Sequence, residues 1–363
     1  ILYYIVGKAW SLTGESHLTY RLIWLVIMFS GIFAFYKALR LLWGDWFWSM
    51  SLPLLLFCSP LFVAYGVSFL TDAPAFCFAL ISGYFLVRYY RFKKWKHFIW
   101  FVFFFTLVGW LKISSLIGII FICGIYIFEM IPPIRSQLKT KLFDGKWKEG
   151  LGLLIGFLLI FAWYYFAGQY NHKHGYHYTF NNIFPFSLMS NQDIADMKLV
   201  IWELTSYQFF GQSILVLLAL VGITNLFLWK KMSLTAYLST PIILIGCCVY
   251  FYLWAPLLGL HDYYWIALLI IMLAILIPFI NVLSVHYTKI FSHWILKSVF
   301  TLFLVYNLID SYHITKFRTL ARNGDQVKAI NEILFIKMEV LNGAYAHIID
   351  FEDLQPMMRA KGI

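Results

Sequence analysis

Asp72 lies between two long apolar stretches, within the run Ser68-Phe-Leu-Thr-Asp-Ala-Pro-Ala75. An acid beside membrane segments is costly unless it faces water, a partner or a substrate. In such a place a carboxylate can accept a proton from an attacking hydroxyl or amine, hold a metal ion or bind sugar hydroxyls. The alternative is a helix N-cap, because Ala73 and Pro74 follow and proline is favoured in a first helical turn. The two roles are compatible, since a capped helix start is also a rigid mount for a site.

Lys112 is the second residue suited to chemistry, in the run Gly109-Trp-Leu-Lys-Ile-Ser-Ser115 between two apolar stretches. An ammonium group at the bilayer centre costs roughly 2.5–3.5 kcal/mol on insertion scales, and less near an interface. A bound phosphate would offset that cost, which makes Lys112 a candidate phosphate ligand. The alternative is an interfacial lysine whose side chain reaches the lipid headgroups.

The run His261-Asp-Tyr-Tyr264 opens a later apolar stretch. Imidazole and phenol groups can bind phosphate or sugar hydroxyls, and the neighbouring Asp262 can orient the imidazole. The alternative is an aromatic belt at the membrane interface with an interfacial histidine. Arg21, at the start of the first long apolar stretch, either pairs with a lipid phosphate or marks the interface.

Three histidines, His172, His174 and His177, lie close together in a polar segment. Such a cluster can indicate a metal site. No carboxylate stands nearby, however, and the spacing matches no common zinc site. A mobile lid over the neighbouring site fits this segment better, because it is also rich in tyrosine and asparagine.

The composition places the chain in a membrane. Hydrophobic residues make up 62% of the sequence and charged residues 12%, whereas soluble domains average about 45–50% and about 25%. The sequence therefore predicts an all-α polytopic membrane protein. The net charge of +11 is explained by basic cytoplasmic loops, which membrane proteins generally carry, and it does not indicate a nucleic-acid partner.

About ten stretches are candidate transmembrane helices, because crossing the hydrocarbon core takes about 20 apolar residues. We predict spans at 18–36, 47–70, 73–89, 98–111, 113–132, 150–167, 211–229, 234–254, 263–284 and 292–310. Residues 1–16 are predicted to form an interfacial amphipathic helix with Tyr3, Tyr4 and Trp10 as anchors. The stretches on either side of Lys112 share almost no loop, so we predict a break at Lys112 and a short helix before it.

Lysine and arginine cluster in every second predicted loop. The clusters lie at Lys37 and Arg40, in 88–96, in 135–148, at Lys230 and Lys231, and at Lys289. The positive-inside rule makes these loops cytoplasmic. Asp72, Lys112, the loop 168–208 and His261 are then all predicted on the opposite, extracytoplasmic face.

Residues 311–363 are predicted to form an extracytoplasmic tail after a transmembrane domain at 1–310. Charged residues return here, and Asn323-Gly-Asp325 can start a helix that carries apolar side chains at helical spacing. Ala344–Asp350 is predicted to be a short strand. We therefore expect the start of a small α/β soluble domain, and a sequence that lacks residues at both ends.

Several of these motifs resemble, in this order, the motifs of one family. The run Ile1–Ser16, followed by Arg21, resembles the first outer loop of the polyprenyl-phosphate-dependent glycosyltransferases of the C superfamily. That group includes the bacterial aminoarabinose transferase and the protein O-mannosyltransferases. Leu70–Pro74 resembles the family's second acidic motif, Gly109–Lys112 its glycine-and-lysine segment, and His261–Tyr264 its outer aromatic motif. Tyr345–Gly362 resembles the start of its C-terminal soluble domain.

The resemblance implies transfer of a sugar from a polyprenyl-phosphate-linked donor to a lipid, protein or envelope glycan. The reaction would occur at the extracytoplasmic face of a bacterial inner membrane. The residues that match the family's sites are Lys112, Arg21 and His261 for the donor phosphate, Asp262, Tyr263 and Tyr264 for substrate, and Asp72 as the second catalytic acid. The family's main acid precedes the stretch that opens this chain, and Glu15 does not replace it. Some relatives use a divalent metal and others do not, so a metal is left open, and no other cofactor is implied.

Two other classes of function compete with a transferase. A secondary transporter or lipid flippase would also be polytopic with an intramembrane lysine, but it predicts polar residues at mid-membrane depth on several helices. A non-catalytic scaffold for envelope assembly would suit a chain without the main acid. The polar residues of this sequence gather at one face, which favours an enzyme with an interfacial substrate.

Overall fold

A computed structural model describes residues 2–14, 16–136, 141–143, 147–175 and 184–322. Within these ranges every regular element is helical and no strand occurs. The α-helices are α1 (Leu2–Thr13), α2 (His17–Trp43), α3 (Trp46–Leu56), α4 (Pro60–Tyr65), α5 (Asp72–Phe92), α6 (Trp95–Leu111), α7 (Ile117–Met130), α8 (Pro132–Arg135), α9 (Trp147–Lys173), α10 (Asn191–Glu203), α11 (Gln212–Leu228), α12 (Leu234–Leu260), α13 (Ile270–His286), α14 (Thr288–Ser292) and α15 (Trp294–Arg322). Short 3₁₀ helices lie at Ile113–Leu116, Phe186–Leu188, Trp229–Lys231 and Asp262–Leu269, and a π-helical turn lies at Leu204–Gln208.

Seven helical segments within the described ranges are long and apolar enough to cross a membrane. They are Leu18–Trp43, Ile113–Met130, Trp147–Lys173, Gln212–Lys231, Leu234–Gly259, Asp262–His286 and Trp294–Lys316. The chain is therefore an all-α polytopic membrane protein, as predicted. The predicted spans 73–89 and 98–111 correspond to α5 and to the shorter apolar α6.

The predicted span 47–70 is wrong as a single helix. The chain leaves the helix after Leu56 and restarts at Pro60. The hydroxyl of Ser59 accepts the backbone N–H of Phe62 at 3.3 Å, so serine caps the new helix and proline occupies its first position. This second helix ends at Tyr65, which leaves 66–71 as an irregular segment before Asp72.

Prolines inside the helices leave carbonyl groups without their helical donors, and neighbouring helices supply replacements. Pro278 has no N–H for the carbonyl of Ala274, which instead accepts the hydroxyl of Thr240 at 2.6 Å. Asn225 of α11 donates its side-chain amide to the next carbonyl, that of Ile275, at 2.9 Å. Such bonds are needed at membrane depth, because no water is there to satisfy the backbone. They join α11, α12 and α13 to one another.

Glycines set the distance between α6 and α9. A Cβ atom on Gly156 would lie 2.1 Å from the ring of Phe105, and one on Gly152 would lie 2.5 Å from the ring of Phe98. Small residues allow two helix backbones to approach closely. The resulting close packing fixes the end of α6, which Lys112 follows.

Two of the basic loops meet at one end of the bundle. Lys93 stands at the turn between α5 and α6 and donates to the carbonyls of Lys141 and Leu142 at 3.0 and 2.9 Å. The buried carboxylate of Glu129 accepts the backbone N–H groups of Leu142 and Phe143. Because α5 and α6 form a hairpin with this basic turn, the start of α5 and the end of α6 lie together at the opposite end.

Helix α12 is kinked near its C-terminal end. Trp254 leaves the helical conformation (φ −129°, ψ 23°) two residues before Pro256. The carbonyl of Leu253 accepts the backbone N–H of Phe184 at 3.0 Å. The segment that leads into α10 is thereby bonded to α12 at its kink.

The chain divides into two compact units, Ile1–Tyr312 and His313–Ile363, whereas the sequence predicted a boundary after 310. The last helix, α15, continues to Arg322, and an extracytoplasmic tail from 311 stays a prediction. The predicted helix from Asn323, the predicted strand at 344–350 and the α/β domain lie outside the described residues.

Candidate functional site

Asp72 is the first helical residue of α5, and Thr71 rather than Asp72 occupies the N-cap position. The carbonyl of Thr71 accepts the N–H of Ala75 at 2.9 Å. The structure shows no side-chain capping bond at this helix start, so the interpretation of Asp72 as an N-cap is wrong. An acid in the first turn is favoured by the helix dipole, while its side chain is directed to a partner on another helix.

The irregular segment before Asp72 is fixed by side chains from α1 and α2. The indole of Trp24 donates to the carbonyl of Leu70 at 2.9 Å, and the hydroxyl of Tyr3 donates to the carbonyl of Phe69 at 2.8 Å. Burial raises the pKa of Tyr3, and the negative charge of Asp72 raises that pKa further. The predicted amphipathic helix at 1–16 is thus present as α1, and it brings Tyr3 close to the acid.

Lys112 follows the last residue of α6 and has an extended backbone conformation (φ −160°, ψ 110°). The predicted break in the helix at this position is confirmed. The hydroxyl of Thr71 donates to the carbonyl of Leu111 at 3.4 Å, which joins the end of α6 to the start of α5. The indole of Trp110 donates to the carbonyl of Leu159 in α9 at 3.0 Å, which holds the same end of α6 from the other side.

Asp72 and Lys112 form a largely buried ion pair. The Nζ atom of Lys112 lies 3.0 Å from Oδ1 of Asp72, and the side chains are 20% and 6% exposed, respectively. The same Nζ atom lies 3.9 Å from the ring centre of Tyr264 and 5.5 Å from that of Tyr263. A cation at such distances is attracted to the ring face. The structure therefore brings four of the predicted site residues together, with the ion pair against two aromatic rings.

The aromatic side of the site is held by two tyrosines that the sequence analysis missed. The hydroxyl of Tyr250 donates to the carbonyl of Tyr264 at 3.1 Å. Tyr65 donates its hydroxyl to the carboxylate of Asp262, and its ring lies edge-on to Tyr263 at 5.8 Å. Asp262, predicted to bind substrate, thus has a partner within the protein. Both tyrosines stand alone in apolar helices, so no polar neighbour in the sequence marks them.

His261 and Arg21 are the two predicted phosphate ligands outside the ion pair. His261 is exposed, and its ring stacks on Tyr263 and Tyr264 with centroid distances of 5.2 and 6.0 Å. It therefore borders the site. Arg21 is exposed on α2, and within the described residues the structure shows no contact between Arg21 and the ion pair.

An apolar cavity of about 280 Å³ lies within the helix bundle, and none of Asp72, Lys112, Tyr263 and Tyr264 lines it. Its lining includes Phe76, Ser115 and Ala267, which stand about one helical turn after Asp72, Lys112 and Tyr264, respectively. Side chains of α2, α5, α7, α12 and α13 form the rest of the lining. The lining of the cavity thus begins about one helical turn from the ion pair and continues along α2 and α5 to Leu42 and Val87.

The histidine segment contributes little to this site in the part that is described. His172 lies in the last turn of α9, and the ring of His174 stacks on Tyr170 with centroids 4.1 Å apart. His177 lies outside the described residues. No three His, Cys, Asp or Glu side chains come together as metal ligands in the described part of the chain, so the structure assigns no ligands to the divalent metal that the sequence left open.

Comparison of the chain with protein-family models, with curated proteins and with solved structures gives no match in any of the three. The fold and the site define a class: an all-α polytopic membrane protein with a largely buried carboxylate–ammonium pair and an apolar cavity within its helix bundle. The resemblance to the polyprenyl-phosphate-dependent glycosyltransferases rests on the motifs quoted above.

Proposed function

We propose that this protein transfers a sugar from a polyprenyl-phosphate-linked donor to an acceptor lipid, protein or glycan. The observation that supports this most directly is the ion pair of Asp72 and Lys112, 3.0 Å apart, at the end of the α5–α6 hairpin opposite its basic turn. Ionisable groups buried within a membrane protein usually mark a functional site. Basic loops on the cytoplasmic side would direct this site to the extracytoplasmic face, in a bacterial inner membrane toward the periplasm.

A lipid-linked donor matches the surroundings of the ion pair. The apolar cavity, whose lining begins about one helical turn from the pair at Phe76 and Ser115, could hold the first units of a prenyl chain while the phosphate meets the ammonium group of Lys112. His261 borders the same site and is a second candidate for the phosphate, and Arg21 at the start of α2 is a third. When the phosphate binds, Lys112 gains a new partner, and Asp72 becomes available to the acceptor.

The reaction requires a base for the acceptor and a cation for the leaving group. An acceptor hydroxyl attacks the anomeric carbon and loses its proton to a carboxylate. The new glycosidic bond forms as the bond to the lipid phosphate breaks, the phosphate leaves with the electron pair, and the configuration inverts. In this proposal Asp72 accepts the proton or orients the acceptor, and Lys112 stabilises the departing phosphate. Tyr263 and Tyr264 border the space for the sugar.

The test is a comparison of two lipids with the same prenyl chain, one with a phosphate head group and one with a hydroxyl. Decaprenyl phosphate and neutral decaprenol are offered to the protein in lipid nanodiscs, and binding is measured by native mass spectrometry. We expect the phosphate lipid to bind at least about tenfold more tightly, because hydrogen bonds to charged groups contribute about 1.5–3 kcal/mol. Lys112→Ala should remove most of this preference. Equal binding of both lipids by the unmodified protein would contradict the proposal.

A matched control for Lys112→Ala is Lys297→Ala. Lys297 also forms an ion pair, with Asp45, and its side chain is 23% exposed against 20% for Lys112. We expect Lys297→Ala to retain the preference for the phosphate lipid. Loss of the preference in both variants would show that charge in general, rather than this site, attracts the lipid.

A flippase is the main alternative, and its products separate it from a transferase. Vesicles that contain the protein and a radiolabelled lipid-linked sugar are incubated with an envelope extract as acceptor. A transferase releases lipid phosphate and labels the acceptor, whereas a flippase leaves the donor intact and moves it to the other leaflet. A scaffold does neither.

A further inference from the structure

The break at Lys112 contains a hydroxyl group from another helix. In a continuous helix the N–H of Ile113 would bond to the carbonyl of Gly109, four residues earlier. The chain instead becomes extended at Lys112, and the hydroxyl of Tyr164 in α9 donates to the Gly109 carbonyl at 3.0 Å. The same hydroxyl is also hydrogen-bonded to the backbone of Ile113. Tyr164 therefore occupies the position of the missing helical bond and contacts both sides of Lys112.

The backbones approach closely enough for this insertion because residue 109 has no side chain. A Cβ atom on Gly109 would lie 2.4 Å from the Cδ1 atom of Ile160, one turn before Tyr164 on the same helix. Insertion of a side chain into the helical hydrogen-bond ladder is a recognised cause of helix breaks. A hydroxyl is suited to this place, because it can donate to the free carbonyl and accept from the free N–H.

We propose that Tyr164 is a positioning residue, which holds the break open so that Lys112 points away from α6 toward Asp72. This inference rests on the proposed role of Lys112 as the phosphate ligand. The N–H of Lys112 still makes the helical bond to the carbonyl of Val108 at 2.8 Å, so the break changes the backbone angles of Lys112 itself. In a continued helix its φ would change from −160° to about −63°, which would rotate its Cα–Cβ bond by about 100°. Its ammonium group would then leave the carboxylate and the ring of Tyr264.

If Tyr164 only helped α6 and α9 to pack, Trp110 at the same interface would have the same role. Trp110 also donates from a side chain to a backbone carbonyl between α6 and α9, that of Leu159, at 3.0 Å. Its bond lies before the break and does not bridge it. Trp110→Phe therefore removes a similar contact from the same interface, and it is the matched control for Tyr164→Phe.

The experiment measures the reactivity of Lys112 rather than catalysis. Protein in detergent is treated with sulfo-N-hydroxysuccinimide acetate, and the acetylation rates of Lys112 and Lys297 are read by peptide mass spectrometry. Lys297 is the internal reference, because it is ion-paired and similarly exposed. We expect the ratio of the two rates to rise at least threefold in Tyr164→Phe and to stay unchanged in Trp110→Phe. The proposal would be overturned if the Lys112/Lys297 rate ratio stayed unchanged in Tyr164→Phe, which includes the case in which both lysines react faster to the same extent. It would also be overturned if the ratio rose equally in Tyr164→Phe and Trp110→Phe.

A second measurement connects Tyr164 to ligand binding. Tyr164→Phe should weaken decaprenyl phosphate binding about fivefold in the otherwise unmodified protein, and should cause no further loss in the Lys112→Ala background. Residues that act through one another show such non-additivity, whereas independent sites add. Equal losses in both backgrounds would refute the positioning role. If the unmodified protein showed no preference for the phosphate lipid, the proposed function would fail, while the acetylation result would still decide the role of Tyr164.

Discussion

Two ion pairs in this protein invite comparison, Asp72–Lys112 and Asp45–Lys297, with N–O distances of 3.0 and 2.7 Å. Each acid stands at the start of a helix. Asp45 is the N-cap of α3 and accepts the backbone N–H of Trp48 at 3.0 Å. Asp72 lies one position inside its helix, where the structure shows no capping bond from it, and its side chain is 6% exposed against 18% for Asp45.

The difference shows how the two carboxylates are used. The carboxylate of Asp45 caps its own helix, α3. The ion pair with Lys297 is therefore an addition to a structural hydrogen bond. Asp72 is buried more deeply and faces an ammonium group that also lies on an aromatic ring. Burial of a charged pair is a weak source of stability, because the loss of hydration offsets much of the attraction. We infer that the Asp45–Lys297 pair supports the fold, whereas the Asp72–Lys112 pair serves the proposed transfer reaction.

Asp72→Asn should give the largest effect. Transfer from a lipid-linked donor is expected to fall by at least about 100-fold, because a positioned acid or base contributes about 10²–10⁴-fold. Expression and membrane insertion should be unchanged. Asp45→Asn is the control and should keep full activity, because asparagine caps a helix about as well as aspartate. Turnover by Asp72→Asn at the normal rate, measured in vesicles with a labelled donor, would reject the catalytic role.

Removal of one charge should cost more stability at the Asp72–Lys112 pair than at the Asp45–Lys297 pair. Lys112→Met alone leaves a buried carboxylate without its cation and should cost about 3 kcal/mol, as is typical of broken buried pairs. The double variant Asp72→Asn, Lys112→Met should recover part of that loss. The corresponding changes at the more exposed Asp45–Lys297 pair should cost only about 1 kcal/mol or less. Apparent melting temperatures of these variants in detergent measure the losses. Equal decreases in melting temperature at the two pairs would contradict the prediction.

Gly109→Ala should disturb the site through packing alone. The added Cβ would lie 2.4 Å from Ile160, and overpacking of this kind typically costs about 1–3 kcal/mol. We also expect faster acetylation of Lys112, because the break that follows Gly109 depends on this close approach. Gly222→Ala in α11 is the control, since a Cβ there meets nothing within 4 Å. A variant at Gly109 that is as stable as the Gly222 variant would show that the helices can move apart freely.

The smallest expected effect is a loss of helix stability at low pH, at the exposed Asp193 in the capping box of α10. Hydrogen bonds from the hydroxyl and backbone N–H of Ser190 lower the pKa of Asp193 at the start of α10. Because the folded pKa lies below the unfolded one, the cap contributes its stability above the unfolded pKa and loses it as the pH falls through the folded pKa. Amide hydrogen exchange of α10, corrected for intrinsic rates, should therefore accelerate toward low pH. Asp193→Ala should show this faster exchange already at neutral pH.

The sequence predicted those parts of the molecule that depend on local pattern. Apolar length located the helices, and the single lysine between two apolar stretches located the break at Lys112. Cationic loops and the order of the polar motifs placed Asp72, Lys112, Tyr263 and Tyr264 at one face, and the structure brings these four together. The approach of Asp72 to Lys112 follows from the short turn between α5 and α6, which makes these helices antiparallel, whereas the contact with Tyr263 and Tyr264 depends on packing between distant helices.

The parts that the sequence did not predict depend on contacts between distant helices. Tyr65, Tyr164 and Tyr250 each donate a hydroxyl across helices, and nothing in their apolar surroundings distinguishes them from lipid-facing tyrosines. The break after Leu56 was missed because an apolar run conceals it, although Ser59 before a proline is a recognisable helix start. The apolar cavity within the bundle is likewise a property of packing and not of any single segment.

The bond between Phe184 and the kink of α12 has a mechanical consequence. The residues that follow the kink lead directly into the 3₁₀ helix that carries Tyr263 and Tyr264. We expect a displacement of Phe184 to shift the residues after the kink, and with them the two rings that contact the ammonium group of Lys112.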